Sequence, residues 1–261
     1  THDLGQNFSK AYNIMIMNEQ GKETPVWQTC FGPGIWRIMA ALIGIHGDDK
    51  GLVLPFDVSP VQIIIISITF ASKKTESVKI NKVCKDLESK INKLGYRAKY
   101  DSSDETPGFK YNKYELLGVP IRVEIGPKEI KTGSISISIR TEKIKKTIKI
   151  KDFSKNILNF RKKINEQIKK SADNYFKNNT RNANSLKEVK EFINKYRGFI
   201  KVPFCSIEKD GEKCADVLKS EAGGANVCGS LYPKEEKVSQ VTKCIICSKN
   251  ANHLVYIAKS Y

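Results

Sequence analysis

Five of the seven cysteines lie between positions 205 and 247, and two of them, Cys244 and Cys247, form a CxxC pair. Cys205 and Cys214 precede that pair, with eight residues between them. Zinc prefers four thiolates in a tetrahedron, and a CxxC turn supplies two of them at once. Cys205, Cys214, Cys244 and Cys247 are the expected ligand set, leaving Cys228 as a thiol in mid-domain. Four thiolates leave no open position for a catalytic water, so such an ion is structural. A redox CxxC competes less well, because those pairs open a helix in a βαβ unit, whereas residues 243–249 read as a turn. An odd cysteine count argues against a complete disulfide framework. Cys30 and Cys84 sit in apolar or helical surroundings and read as packing residues.

The second chemical signal is charge. The chain carries 45 Lys+Arg against 28 Asp+Glu, a formal net charge of +17. Residues 143–170 alone hold eleven basic residues against two acidic ones, Asp152 and Glu166. Nucleic acid is the commonest polyanion to match such an excess, through phosphate contacts that release counterions. A solvated lysine-rich face is the competing reading, and composition does not separate the two. At 261 residues the chain fits one large domain or two to three ordinary ones. No apolar run reaches the roughly 18 residues of a spanning helix, and no signal peptide is visible. A soluble, intracellular protein is expected. The chain opens on Thr1, so it is expected to be either processed or the tail of a longer chain.

The elements that must carry these groups follow from periodicity. Residues 11–17 and 26–31 read as strands, 35–46 as a helix after a Gly-Pro-Gly turn, and 51–55 as a short strand. Residues 61–68 form a β-branched-rich run with four consecutive isoleucines, which suits a strand buried on both faces. Residues 76–94 read as a helix stopped by Gly95, 96–100 as a strand, 107–117 as a helix stopped by Gly118, and 121–125 as a strand. Residues 134–140 alternate Ser and Ile, and 144–150 repeat the alternation with lysines on the wet face, which predicts a hairpin. A long basic helix over 153–176, a linker over 177–184, a helix capped by Ser185 and a strand over 199–204 lead into the cysteine region. Three units result: 1–58, 59–152 and 153–261.

Long collinear motifs now resemble a known family. His2-Asp-Leu-Gly-Gln-Asn-Phe-Ser-Lys10, Trp27-Gln-Thr-Cys-Phe-Gly32, Arg37 and His46-Gly-Asp-Asp-Lys-Gly-Leu-Val-Leu-Pro55 are similar to prolyl-tRNA synthetases of the archaeal/eukaryotic type. Pro107-Gly-Phe-Lys110 and Glu115-Leu-Leu-Gly-Val-Pro-Ile-Arg-Val-Glu-Ile-Gly-Pro-Lys128 resemble their class IIa anticodon-binding domain. The ending Ile257-Ala-Lys-Ser-Tyr261 resembles their terminal signature. Two stretches depart from the pattern: Pro33-Gly-Ile-Trp36 stands before Arg37, and Pro55-Phe56 replaces Pro-Pro.

The resemblance implies a multidomain fold of mixed α+β and α/β character. Its parts are the end of a class II antiparallel catalytic domain over 1–58, an α/β anticodon-binding domain over 59–152, and a basic helix with a C-terminal α+β zinc-binding domain over 153–261. It implies ATP-dependent activation of proline and transfer to the 3′ end of tRNA-Pro, with Mg2+ accompanying ATP and Zn2+ as a structural ion. Arg37 takes the place of the motif 3 arginine, which stacks on adenine and holds the γ-phosphate; a permanently charged planar guanidinium suits both. His2, Thr29 and Gly32 would touch proline, Gln28 would join Arg37 at ATP, and the Tyr261 carboxylate would return towards the active site. Lys110, Arg122, Glu124, Lys128 and Arg140 are candidates for reading the anticodon.

Motifs 1 and 2 lie upstream in the family, so this chain is expected to be inactive alone and to belong to a cytoplasmic homodimer formed through an upstream segment. The second hypothesis is a non-catalytic tRNA-binding module with an anticodon-reading domain and a zinc domain. A third, an unrelated zinc protein that binds nucleic acid, accounts for the charge and the cysteines but not for the ordered motifs of residues 1–55.

Overall fold

The computed structural model describes residues 2–69, 74–142, 145–196, 198–238 and 241–259. The chain divides into two compact units, Thr1–Ile164 and Asn165–Tyr261.

The first unit opens with β1 (His2–Gly5), α1 (Asn7–Ala11), β2 (Met15–Met17), β3 (Glu23–Pro25), β4 (Gln28–Cys30) and α2 (Ile35–His46). The strands pair antiparallel two by two, β1 with β4 and β2 with β3. The strand expected over 11–17 is shorter, because Asn13 takes a left-handed conformation (φ 51°) that Asn tolerates and a strand does not. Helix α2 has the predicted bounds, yet none of its residues is buried, and Ile35, Trp36, Ile38, Met39, Ile43 and Ile45 are all exposed. Residues 52–55 form no strand; the Leu52 N–H donates instead to the Leu116 carbonyl at 3.0 Å.

The sheet follows: β5 (Ile63–Ser67), α3 (Lys74–Lys93), β6 (Ala98–Asp101), α4 (Pro107–Leu116), β7 (Ile121–Ile125), α5 (Pro127–Thr132), β8 (Ser134–Ile139) and β9 (Lys146–Lys149), leading into the long helix α6 (Ile150–Asn178). The spatial order is β6-β5-β7-β8-β9, with β5 parallel to both neighbours and the β7-β8-β9 meander antiparallel. Ile63 to Ile66 are fully buried, as a strand covered on both faces requires. Helix α3 buries Ile80, Cys84, Leu87 and Ile91 at helical spacing. Helix α4 starts at Pro107 after Thr106, whose hydroxyl accepts from the Phe109 N–H. It ends at Gly118 (φ 69°), where a Cβ would press on Leu52.

Lys110 is buried under this helix. Its ammonium donates to the carbonyls of Asp101 (3.1 Å) and Ser103 (2.7 Å) and lies 3.6 Å from the Asp101 carboxylate. It is a structural brace rather than a group that can reach RNA, which corrects the expectation from sequence. A lysine so placed tolerates burial because its charge faces a carboxylate and two carbonyls accept from its ammonium.

The second unit holds β10 (Thr180–Asn182), α7 (Leu186–Lys195), β11 (Phe199–Phe204), α8 (Glu212–Glu221), β12 (Ala225–Gly229) and β13 (His253–Lys259), with sheet order β10-β11-β13-β12. Strand β10 lies where a linker is expected over 177–184; it pairs parallel with the edge of β11. The Ser185 hydroxyl accepts from the Glu188 N–H at 3.2 Å and caps α7. Val189, Val202, Phe204, Leu218, Val255 and Ile257 form the core, with Cys214 and Cys244 at its margin. Among the described residues no helix is long and apolar enough to cross a membrane.

Asp101 gives the first unit an acid-sensitive point. Burial alone would raise its carboxyl, but donors from Ser103 and Tyr114 outweigh it and hold the value down to about 2. A value lower in the folded state contributes stability above the ordinary 3.8, and that contribution is lost as pH falls towards 2. Asp101→Asn should lower stability at neutral pH and flatten the loss between about pH 5 and about pH 2, measured by urea unfolding. An unchanged pH dependence would show that Asp101 does not carry it.

Candidate nucleic-acid interface and metal centre

The register of β5, β7 and β8 sets two unlike faces. Ile64 and Ile66 stand opposite Arg122 and Glu124, which in turn face Ser138 and Ser136. The other face carries Ile63, Ile65, Ile121, Val123, Ile135, Ile137 and Ile139, all buried. Tyr114 and Val119 bury Ile64 and Ile66, with Tyr111 beside them, while Ser136 and Ser138 stay partly open.

At this edge Glu124 is almost fully buried and gathers three donors. The Tyr111 hydroxyl donates to Oε2 at 2.9 Å, Lys145 Nζ to the same oxygen at 2.7 Å, and Arg122 Nε to Oε1 at 3.1 Å. Burial would raise the carboxyl, but Lys145, Tyr111 and Arg122 together hold it below the ordinary range. Burial and the neighbouring carboxylate push the Tyr111 phenol up. The Arg122 guanidinium sits 4.2 Å from the Tyr111 ring centroid, and Lys145 Nζ 5.5 Å. One terminal nitrogen of Arg122, Nη2, donates to the Ser138 hydroxyl at 3.3 Å. The result is a ring-and-cation platform beside a row of hydroxyls, a chemistry able to stack an unpaired base and hydrogen-bond its edge.

Of the residues expected here from sequence, Arg122 and Glu124 are brought together, and Lys128 is exposed on α5. Arg140 is turned away: its guanidinium is buried against the Leu52 and Glu115 carbonyls and the Asp48 carboxylate, so it is committed within the protein. Tyr111 and Lys145 were missed. Tyr111 follows Lys110 directly, and only the turn of α4 decides which of the two faces the core.

The N-terminal candidates lie on one small ribbon and the helix after it. In the β1–β4 pair His2 is opposite Cys30, Asp3 opposite Thr29, and Gly5 opposite Gln28. His2 and Thr29 are exposed; the Gln28 side-chain oxygen is buried with no hydrogen-bond partner among the described residues. Gly32 has open space where a Cβ would be, and Arg37 is exposed on the first turn of α2. Cys30 is exposed rather than packed, whereas burial pushes the Cys84 thiol up to about 12. Tyr261 lies outside the described residues.

In the second unit four thiols converge. Cys205 follows β11, Cys214 lies in α8, and Cys244 and Cys247 sit in a tight turn. In that turn the Cys244 N–H donates to the Lys249 carbonyl (2.8 Å), the Ser248 N–H donates to the Cys244 carbonyl (3.1 Å), and Ser248 is left-handed (φ 58°). All four sulfurs lie within 4.8 Å of one another, and Cys205 and Cys214 are 3.7 Å apart. A zinc–sulfur bond of about 2.3 Å sets tetrahedral edges of about 3.8 Å, so the set fits the ion. The Lys249 N–H pulls the Cys247 thiol down to about 7, while burial pushes Cys205 and Cys214 up. Four thiolates this close need a cation between them. Cys228, exposed on β12, is not part of the cluster.

Comparison with known proteins bears on both regions. A family model described as "Anticodon binding domain" matches residues 61–160, and one described as "Prolyl-tRNA synthetase, C-terminal" matches residues 186–261. A proline–tRNA ligase of Thermofilum pendens is 40% identical over all of this chain and 52% of its own length. The proline–tRNA ligase of Pyrococcus horikoshii is 33% identical over the same shares. A solved structure, the Giardia lamblia prolyl-tRNA synthetase in complex with prolyl-adenylate, superposes with a TM-score of 0.88 at 27% identity, covering all of this chain and 55% of that one. The chain thus spans about half the length of the curated relatives it matches. With two consecutive domain matches and alignment to these ligases from end to end, the chain belongs to the prolyl-tRNA synthetase family and corresponds to the C-terminal part of its members.

Proposed function

We propose that these residues work as the C-terminal part of a proline–tRNA ligase, which activates proline with ATP and passes it to the 3′ end of tRNA-Pro. The observation that carries this reading is the platform of Tyr111, Arg122 and Lys145 over the buried Glu124 carboxylate. It has the shape and charge to read unpaired bases, and it stands in the segment that matches an anticodon-binding domain. The ligase names of the relatives favour this over a free-standing, non-catalytic tRNA-binding module.

Residues 1–58 fit the closing segment of a catalytic domain. An amphipathic helix normally buries its apolar stripe, and α2 leaves none of it fully buried and most of it exposed, as a surface that more of the same domain would cover. In this reading Arg37 binds the adenine and γ-phosphate of ATP, with Mg2+ accompanying the nucleotide. The Gln28 oxygen, without a partner among the described residues, offers an acceptor for the same ligand. His2, Thr29 and Gly32 line the proline side. The whole enzyme would be a cytoplasmic homodimer assembled through its upstream part.

The four thiols would hold one structural zinc ion. Its chemistry there is to neutralise thiolates and tie β11, α8 and the 244–247 turn into one small unit; it would take no part in the reaction.

Two experiments test these assignments. A hairpin RNA bearing the proline anticodon should bind more tightly than one with those bases changed. Tyr111→Ala should lose about 1–3 kcal/mol of that binding by the stacking estimate. Equal affinity for both hairpins would sink the anticodon reading. Metal analysis should find about one zinc per chain, lost in Cys247→Ser and kept in Cys228→Ser. Retention of zinc in Cys247→Ser would show the ligand set to be wrong.

A further inference from the structure

The loop that follows α2 is gripped by the side chain of Arg140, at the end of the sheet's β8. Arg140 stands just past β8, and its side chain is only 6% exposed. Its Nε donates to the carbonyls of Leu52 (3.0 Å) and Glu115 (3.3 Å), and one terminal nitrogen donates to Asp48 Oδ2 at 2.9 Å. The other terminal nitrogen reaches Asp48 Oδ1 and the Gly51 carbonyl. This two-pronged guanidinium–carboxylate pair constrains direction as well as distance, which a lysine could not do. It holds the Asp48 carboxyl down to about 2, so the pair stays charged through the neutral range.

Backbone surfaces close around the pair. Gly51 (φ 129°) has the Leu116 backbone within 2.4 Å of where a Cβ would stand, and Gly118 has Leu52 within 2.7 Å. The Leu52 N–H donates to the Leu116 carbonyl, and Lys50 pairs with Glu115 at 3.3 Å. On one side, α2 ends at His46 and Gly47 still donates to the Ile43 carbonyl, so the clamped loop continues the helix that carries Arg37. On the other side, the clamp grips the end of α4, the helix that carries Tyr111. Arg140 is thus the most connected of the links between the segment of the proposed ATP group and that of the proposed base platform.

We propose that Arg140 is a positioning residue for aminoacylation: by holding residues 48–52 against the end of α4, it fixes the angle between the α2 segment and the anticodon-reading sheet, so that one tRNA engages both. This inference rests on the ligase reading given above. Adenylate formation uses only small substrates and does not depend on that angle. Transfer to tRNA does, because a rigid RNA must fit two sites at once.

The test uses the full-length ligase carrying Arg140→Gln, Arg140→Lys and Asp48→Asn. Proline-dependent ATP–pyrophosphate exchange should stay within about twofold, while kcat/KM for tRNA in aminoacylation falls roughly tenfold to a hundredfold. Combining Arg140→Gln with Asp48→Asn should cost no more than Arg140→Gln alone, since both open one clamp. Faster amide hydrogen exchange at Leu52, with the β5 amides still protected, would show that the clamp opened without loss of the fold. A parallel fall of both activities in all three variants would make Arg140 a brace of the fold and overturn the proposal. Unchanged aminoacylation with a freely exchanging Leu52 amide would overturn it too. A wild-type enzyme that fails to charge tRNA with proline would instead sink the ligase reading.

Discussion

The pairing of Ile64 with Arg122 and of Ile66 with Glu124 puts an isoleucine and a charged residue side by side on one face of the sheet. The packing of α4 on the sheet follows from how that conflict is settled. The isoleucines are covered by α4, and the same helix brings Tyr111 across to cap the carboxylate. A slip of one residue in this pairing would drive Arg122 and Glu124 into the face that holds Ile63, Ile65 and Val123. Burying two unpaired charges there would cost far more than one register's worth of strand contacts returns. The register that makes the core is therefore the one that makes the platform.

The second unit faces a different constraint. Its sheet has four strands, one of them only three residues long, and its core is small. Aromatic contacts among Phe176, Phe199 and Tyr256 support one side of it. The other side ends in a turn and a loop whose sulfurs converge, and a short chain segment with so little apolar area commonly relies on a bound ion. The turn is already shaped by backbone bonds around Cys244, with Ser248 left-handed. Preformed turn geometry of this kind lowers the ordering cost of taking up a metal.

Local signals made much of the fold legible. The isoleucine run within 61–68 and the period-two Ser–Ile alternation after Gly133 are both local patterns, and they appear as β5 and β8. The cysteine spacing pointed to the same four thiols that the structure gathers. What stayed hidden was long-range. That Lys110 is buried and Tyr111 faces the carboxylate depends on the rotation of α4 against β5, which no spacing within α4 states. Strand β10 looks like a polar linker because its side chains are polar, and only parallel pairing with β11 makes it a strand. Arg140 reads as one more basic residue among 45 Lys+Arg, since its partners lie up to 92 residues away.

Lys110, Arg140 and Glu124 show why charge alone is a poor guide to an RNA interface. All three are nearly buried, and each has its polar atoms paired within the protein. Lys110 and Arg140 therefore contribute to net charge without offering a donor to phosphate or base. Glu124 instead fixes the place of three groups that do remain partly open: the Tyr111 ring, the Arg122 plane and Lys145. A buried carboxylate that orients cations over a ring gives a fixed stacking surface, whereas free lysines give only a diffuse field. Selectivity for particular bases needs the former, because a lysine on a flexible stem follows any phosphate it meets. The interface is thus better located by asking which open groups are held still than by asking where the positive charge lies.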